Sequence, residues 1–489
     1  MESNPLPSPE LATISNPLEQ QVGVLVAGLA TDGNLSETLK GFDRATDGWL
    51  TNRIQQGHVR GKRGELALLP SPINIGPPML LLVGLGDGSV DRNDALEISA
   101  TAIRRLAYRP QELVVSALAE SCDRSVHDAL VAGALYACEE QSLYQSDPAF
   151  HTPDAIHFSG LAEEAIERGK VIGMSVNHTR RLVNEPPAII YPESFVARAV
   201  EILDGTDVSI EVWDEKQLAA EGCRAILAVG SGSEKPPRLM MMRYRGGGDE
   251  QPLAIVGKGV TFDSGGLSLK PSESMVDMKC DMAGAATVVG VMHAIAKLGV
   301  KKNVIGLCGL AENMVSGSSY KLGDVIETRS GKTIEILNTD AEGRVVLADT
   351  LDVAIQHEPR AMVDLATLTG ACMIALGTDV VGSMANDQSL CDKIHAAAVA
   401  EGELVWQLPM FELYDEKVKS KVADIKNVGE GKWGGAITAA KFLENCVGDT
   451  PWVHLDIAGP AFADGAKSYR DAGATGVMVR SLVRWVEES

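Results

Sequence analysis

Two short stretches of the chain concentrate residues able to hold cations and move protons. Residues 258–281 read KGVTFDSGGLSLKPSESMVDMKCD, and residues 338–349 read NTDAEGRVVLAD. In the first, Lys258 and Asp263 flank the end of a strongly apolar run, and Lys270 and Asp281 follow. In the second, Asp340 and Glu342 precede Arg344 at alternate positions. A lysine at the end of an apolar strand is costly to bury unless it is paired or deprotonated. Several carboxylates converging on it would repel one another unless a cation sat among them. Two divalent metals would resolve that repulsion, with bridging carboxylates spanning the roughly 3.5–4 Å usual for paired metals. Arg344 adds a fixed cation with no role as a base. Each acid also has a plainer reading. Asp281 could N-cap the helix after it, Thr339 or Asp340 could cap the next one, and Glu342 would favour that helix's positive end.

The apolar pattern indicates the elements that must position these residues. LAIVGKGVTF (253–262) reads as a buried strand running into a loop, and Ser264-Gly265-Gly266 lets the backbone turn sharply beside Asp263. Helices are expected at 282–299 and 341–357, and strands at 303–313 and 361–371. Further strands are expected at 208–214, 225–233 (AILAVGSGS) and 452–459, and helices at 193–203 and 437–447. Upstream, apolar strands at 22–30, 79–86 and 113–118 alternate with helices at 95–108 and 125–144. This alternation predicts an α/β fold of two domains, each a mixed, mostly parallel sheet flanked by helices. Residues 1–20, polar and rich in proline, are expected to form a flexible leading segment. An N-terminal α/β domain would then cover 21–155, a linking helix 156–185, and a larger catalytic domain 186–489. Ligands in open sheets bind outside the carboxyl ends of the strands, where Lys258 and Asp263 fall.

Composition narrows the function classes. The 489 residues carry a formal charge of −22, which repels phosphate backbones and anionic lipid, so nucleic acid is not expected as the main partner. No apolar run reaches the roughly 18 residues that would span a bilayer, so no membrane role is expected. The eight cysteines are scattered singly, without a CxxC pair, so neither a thiolate zinc site nor a disulfide framework is indicated. A reducing cytoplasm is the simplest compartment, and the start of the chain has neither a basic flank nor an apolar core. GLGDGS (84–89) lacks the third glycine of a dinucleotide loop, and neither GxxxxGK[ST] nor HExxH occurs.

The two chemistry-bearing segments resemble the signature of the leucyl aminopeptidase (cytosol aminopeptidase) family of dimetal exopeptidases. NTDAEGR (338–344) is similar to the core of the family signature, and VGKGVTFDSGG with the KP and MKCDM that follow it (256–282) to its metal-binding stretch. The likeness continues through LATLTGA (365–371), KSKVADIKN (419–427) and WVHLDIAGPAF (452–462), covering residues from about 170 onward. It implies that Lys258, Asp263, Asp281, Asp340 and Glu342 ligate two divalent metals, Mn²⁺ or Zn²⁺, with Asp263 and Glu342 bridging them. Lys270 and Arg344 match the catalytic positions. Met278, Thr367, Leu368, Gly370 and the Ala458–Ala461 stretch, Ala461 included, fall where the family builds its pocket for the N-terminal side chain. Leu267-Ser268-Leu269 departs from the pattern, since an aromatic often follows the two glycines.

The implied reaction is removal of the N-terminal residue, Leu-like preferred, from peptides in intracellular turnover, by a hydroxide bridging the metals. A free α-amine and the carbonyl oxygen would each meet a metal, which explains selectivity for chain ends. A protonated Lys270 would hydrogen-bond the oxyanion. Arg344 would hold the small anion that takes up a proton, bicarbonate in the family. The family also assembles as homohexamers. A structural or DNA-binding role is disfavoured by the intact ligand set and the acidic charge, and a dimetal phosphoesterase by the lack of histidine in either segment.

Overall fold

The computed structural model describes residues 4–21, 23–72, 75–431 and 433–489. They divide into two compact units. One runs to Asn177 and also includes Gly465–Ala472; the other comprises His178–Asp464 and Gly473–Ser489.

The first unit is built on a six-stranded sheet. Its strand order is Glu10–Thr13, Ala155–Phe158, Leu113–Ser116, Val24–Ala30, Met79–Gly86 and Leu66–Pro70. Every pairing is parallel except the last. The central strands Val24–Ala30 and Met79–Gly86 are buried almost throughout, as strands covered on both faces must be. The expected flexible segment is in part a built one. Glu10–Thr13 pairs with Ala155–Phe158, and the Asn4 N–H donates to the Leu143 carbonyl at 3.2 Å. The open edge of the sheet offers unpaired backbone groups, and this short strand satisfies them. Residues 1–3 of that segment, and Val22 of the expected first strand, lie outside the described residues.

The expected linking helix also divides differently. Its first residues form the strand Ala155–Phe158, and the helix runs over Glu163–Asn184 with the unit boundary inside it. The segment Gly465–Ala472, expected within the catalytic domain, returns to the first unit. There Asp471 accepts the Gln141 N–H at 3.3 Å and the Ser468 hydroxyl meets that of Thr101 at 3.3 Å.

The second unit carries an eight-stranded mixed sheet. Its order is Val405–Gln407, Val381–Ala385, Trp452–Asp456, Ala361–Ala366, Leu253–Asp263, Asn303–Asn313, Arg238–Arg245 and Val208–Trp213. The four central strands are mutually parallel, so Asp263, Asn313, Ala366 and Asp456 end along one edge of the sheet. Glycines let the helix Ala283–Lys297 lie close to this sheet. A Cβ on Gly257 would come within 2.6 Å of the backbone of Ala285, and one on Gly284 within 2.2 Å of the Leu365 carbonyl.

The segment 225–233, expected as a strand, is a helix over Arg224–Gly230. Its apolar residues do not alternate with polar ones, so periodicity could not separate strand from buried helix. The Asp349 carboxylate decides the matter by accepting the N–H groups of Ala225 (2.8 Å) and Ile226 (3.1 Å) at the start of the helix. Two expected strands also stop early, at Ala366 and Asp456, where the chain turns to line the site. All eight cysteines are free, and among the described residues no helix is long and apolar enough to cross a membrane.

Candidate active site

The carboxyl-end edge of the second sheet brings the two chemistry-bearing segments together. Lys258 sits within the long central strand and is 3% exposed. Its Nζ donates to Asp281 Oδ1 at 2.6 Å and to the Thr367 carbonyl at 3.0 Å, and lies 2.9 Å from Glu342 Oε1. Lys270, on the loop past the two glycines, places its Nζ 2.8 Å from Asp263 Oδ2 and 2.5 Å from Asp340 Oδ1. Carboxylate oxygens of Asp263, Asp340 and Glu342 all lie within 4.8 Å of one another.

Capping does not account for these acids. Asp281 lies in the 3₁₀ turn Met278–Met282 and bonds Lys258 and the Thr367 hydroxyl (2.7 Å). The helix Ala283–Lys297 has no side-chain cap. Glu342 occupies the N-cap position of the helix Gly343–Ile355, again without a side-chain cap bond. Thr339 likewise turns away from the helix. Its hydroxyl donates to the Gly265 carbonyl (2.7 Å) and accepts from the Ser268 N–H (2.8 Å), tying the glycine loop to the second segment.

The electrostatics follow from four carboxylates facing two ammonium groups in a buried space. Burial and the neighbouring Glu342 push the Asp263 carboxyl above the usual range, against the pull of the lysines. Asp281 is driven upward by its burial despite Lys258, with Glu342 and Asp263 adding to the shift. Burial opposes a charged Lys258, but Asp281, Glu342 and Asp263 outweigh it and favour the ammonium. Burial likewise opposes charge on Lys270, and Asp263 and Asp340 overcome it. Arg344 is also buried, which draws its guanidinium down to about 10 while Glu342 and Asp456 resist the shift. Its Nε has no hydrogen-bond partner among the described residues.

A divalent cation fits this arrangement. Asp281 Oδ2 and Glu342 Oε2 are buried with no hydrogen-bond partner among the described residues, a costly state for a carboxylate oxygen. The donor set is dominated by oxygen, as hard divalent metals prefer, and the excess of carboxylates over ammonium groups would be offset by a cation.

The cluster opens into a cavity of about 620 Å³. Met278, Thr367, Leu368 and Gly370 line it beside Lys258, Asp263, Lys270, Asp281, Asp340, Glu342 and Arg344. Of the stretch 458–461, Ala458 lines the cavity. Ala461 does not: it is 2% exposed, and its N–H bonds the Ile457 carbonyl at 3.0 Å. The turn after Asp456 carries it into the interior.

Several supporting residues escaped the sequence reading. Asn313 Nδ2 donates to Asp263 Oδ1 (2.8 Å) and to the Thr339 carbonyl (2.9 Å), holding the carboxylate in place from the neighbouring strand. Gly343 leaves room for Lys258, because a Cβ there would lie 2.5 Å from Lys258 Cε. Trp433, 85% exposed, stands at the cavity wall. A polar residue ending an apolar strand beside the lysine strand was the one signal available for Asn313. Gly343 stands inside the NTDAEGR run, which gives no sign that it makes room for Lys258, and Trp433 had no signal.

Known proteins resemble the chain along nearly its whole length. Residues 177–483 match the catalytic domain of the cytosol aminopeptidase family, and residues 22–148 match that family's N-terminal domain. A probable cytosol aminopeptidase of Rhodopirellula baltica is 60% identical, across 100% of this chain and 99% of the relative. A tomato leucine aminopeptidase mutant superposes with a TM-score of 0.88 at 31% identity, covering 99% of this chain and 98% of that one. The bottromycin maturation enzyme BotP, solved in complex with Mn, gives 0.85 at 33% identity, covering 95% of this chain and 99% of that one.

Proposed function

Because this chain belongs to the cytosol aminopeptidase family and is a hydrolase of the leucyl aminopeptidase type, we propose that it releases N-terminal residues with Leu-like side chains from peptides. One observation carries this reading: buried carboxylate oxygens with no hydrogen-bond partner among the described residues, beside two lysines that line the same cavity of about 620 Å³. Asp263, Asp281, Asp340, Glu342 and the Lys258 amine, its ammonium giving up a proton to the incoming metal, would hold two divalent cations, and the Mn in the solved BotP complex supports Mn²⁺ as one choice, with Zn²⁺ the other. Bound there, the metals would supply Lewis acidity and lower the pKa of water near the scissile carbonyl.

The chain's own residues do the rest. Lys270, kept protonated by Asp263 and Asp340, would donate a hydrogen bond to the developing oxyanion. Arg344, with an unpartnered Nε, would hold a small anion such as bicarbonate, which takes up the proton that arginine cannot. Met278, Thr367, Leu368, Gly370 and Ala458 would enclose the N-terminal side chain. The same reading carries a homohexameric assembly and a cytoplasmic role in peptide turnover.

The test is metal-stripped protein titrated with Mn²⁺ and assayed on Leu-p-nitroanilide, then on a Leu-initiated peptide with and without an acetylated N-terminus. Activity should return with metal, and the acetylated peptide should resist cleavage. Hydrolysis of the blocked peptide at the rate of the free one would exclude an aminopeptidase of this type.

A further inference from the structure

Behind the cavity wall lies a buried carboxylate that takes no part in the cluster. Asp456 ends the strand Trp452–Asp456 and has no exposed surface. Its Oδ1 accepts the N–H groups of Leu368 (3.3 Å), Thr369 (3.4 Å) and Ala458 (3.2 Å), and its Oδ2 accepts the Thr369 hydroxyl at 2.7 Å. The Thr369 hydroxyl in turn accepts the Cys372 N–H at 3.0 Å, capping the short helix Gly370–Leu376. Asp456 therefore grips two of the chain segments that line the cavity. Leu368, Thr369, Gly370, Ala371 and Met373 of the one segment and Ala458 of the other line the cavity.

The same turn reaches the cluster. The Thr367 carbonyl accepts from Lys258, and the Thr367 hydroxyl bonds Asp281. A charged carboxylate accepting several bonds from two segments fixes them more firmly than neutral partners would. Pocket walls that shift by a fraction of an ångström change how well a side chain fills them.

We propose that the Asp456–Thr369 pair is a positioning element that sets the side-chain selectivity of the pocket, by locking the 367–370 turn against Ala458. The inference rests on the aminopeptidase reading above and concerns which N-terminal residue is accepted, with the chemistry left to the cluster.

Thr369→Val keeps the shape of the side chain while removing both hydroxyl bonds, and Thr369→Ser keeps the hydroxyl. kcat and KM should be measured for each holoenzyme on Leu-, Met- and Ala-p-nitroanilide. Thr369→Val is expected to lower the Leu-to-Ala ratio of kcat/KM on the order of tenfold, chiefly through KM, with bound metal unchanged. Thr369→Ser should restore the ratio. If the valine variant does not fold, Asp456→Asn serves: it keeps size, puts a donor where Oδ2 accepts, and should shift the ratio in the same direction. A wild-type ratio in the folded variants, or equal shifts in the valine and serine variants, would overturn the proposal. Wild-type protein inactive on all three substrates would instead count against the aminopeptidase reading.

Discussion

Lys258 shows how narrowly one residue is accommodated. Its ammonium is enclosed by Asp281, Glu342 and the Thr367 carbonyl, and its stem crosses Gly343 at a distance that leaves no space for a methyl group. Gly343→Ala suits the helix by roughly 0.5–1 kcal/mol, so the fold should persist, but the new methyl must displace Lys258. The expected result is a loss of about 10–100-fold in metal affinity or activity, as for other supporting changes around a metal. Normal metal binding and turnover in this variant would show that Lys258 relocates freely. Arg344 offers a separate test. In the first turn of a helix a cation is unfavourable with the dipole, so a purely structural arginine there would be dispensable. If it holds the proton-accepting anion, Arg344→Ala should keep its metal and lose turnover by roughly 10²–10⁴-fold. Bicarbonate should then stimulate the wild type in carbonate-depleted buffer and leave the variant unaffected.

At the level of elements, two parallel strands at the centre of the sheet are stitched by a buried polar network. Asp364, on Ala361–Ala366, accepts from Trp452 Nε1 at 2.7 Å and bonds His454 Nδ1 at 2.7 Å, all three side chains being inaccessible. Burial disfavours the imidazolium, but Asp364 outweighs it and raises His454 above its ordinary value near 6.5. A histidine raised on folding contributes stability that is complete below about pH 6.5 and is lost as pH rises through its higher folded value. Asp364→Asn should therefore lower Tm most at pH 6 and progressively less toward pH 9. A deficit that does not change with pH would mean that His454 is neutral in the fold. The helix Arg224–Gly230 makes a related point. Apolar residues that read equally as a strand became a helix because one carboxylate, Asp349, was available at its start.

For the whole molecule, metal binding must appear as stability. A ligand that binds only the folded chain stabilises it by about 2.7 kcal/mol at a concentration of 100 times Kd. Mn²⁺ should raise the melting temperature of the wild type and do much less for Asp263→Asn or Glu342→Gln. Those variants should melt near the metal-free wild type, since relieving charge repulsion offsets lost hydrogen bonds, and they should be inactive. Two bound metals with near-normal turnover in either variant would remove these acids from the centre.

Much of this protein was legible in its amino-acid sequence because the decisive chemistry is local. The chain carries Lys258, Asp263, Lys270, Asp281, Asp340, Glu342 and Arg344 in two short runs at the junctions between strands, loops and helices. An apolar strand followed by paired glycines is enough to place such residues at the edge of a parallel sheet. The alternation of strands and helices likewise disclosed two α/β units. What only the tertiary structure decided depends on partners far apart in the chain. Asn313 reaches Asp263 across 50 positions, Thr369 reaches Asp456 across 87, and Asp349 reaches Ala225 across 124. Such hydrogen bonds leave no periodic trace in the sequence, because each end looks like an ordinary polar residue. The same holds for Glu10–Thr13, which became a strand because Ala155–Phe158 offered an edge, and for Ala461, which the turn after Asp456 drew into the interior. Side-chain type and short spacing marked the candidate residues, and long-range packing settled which neighbours hold them in place.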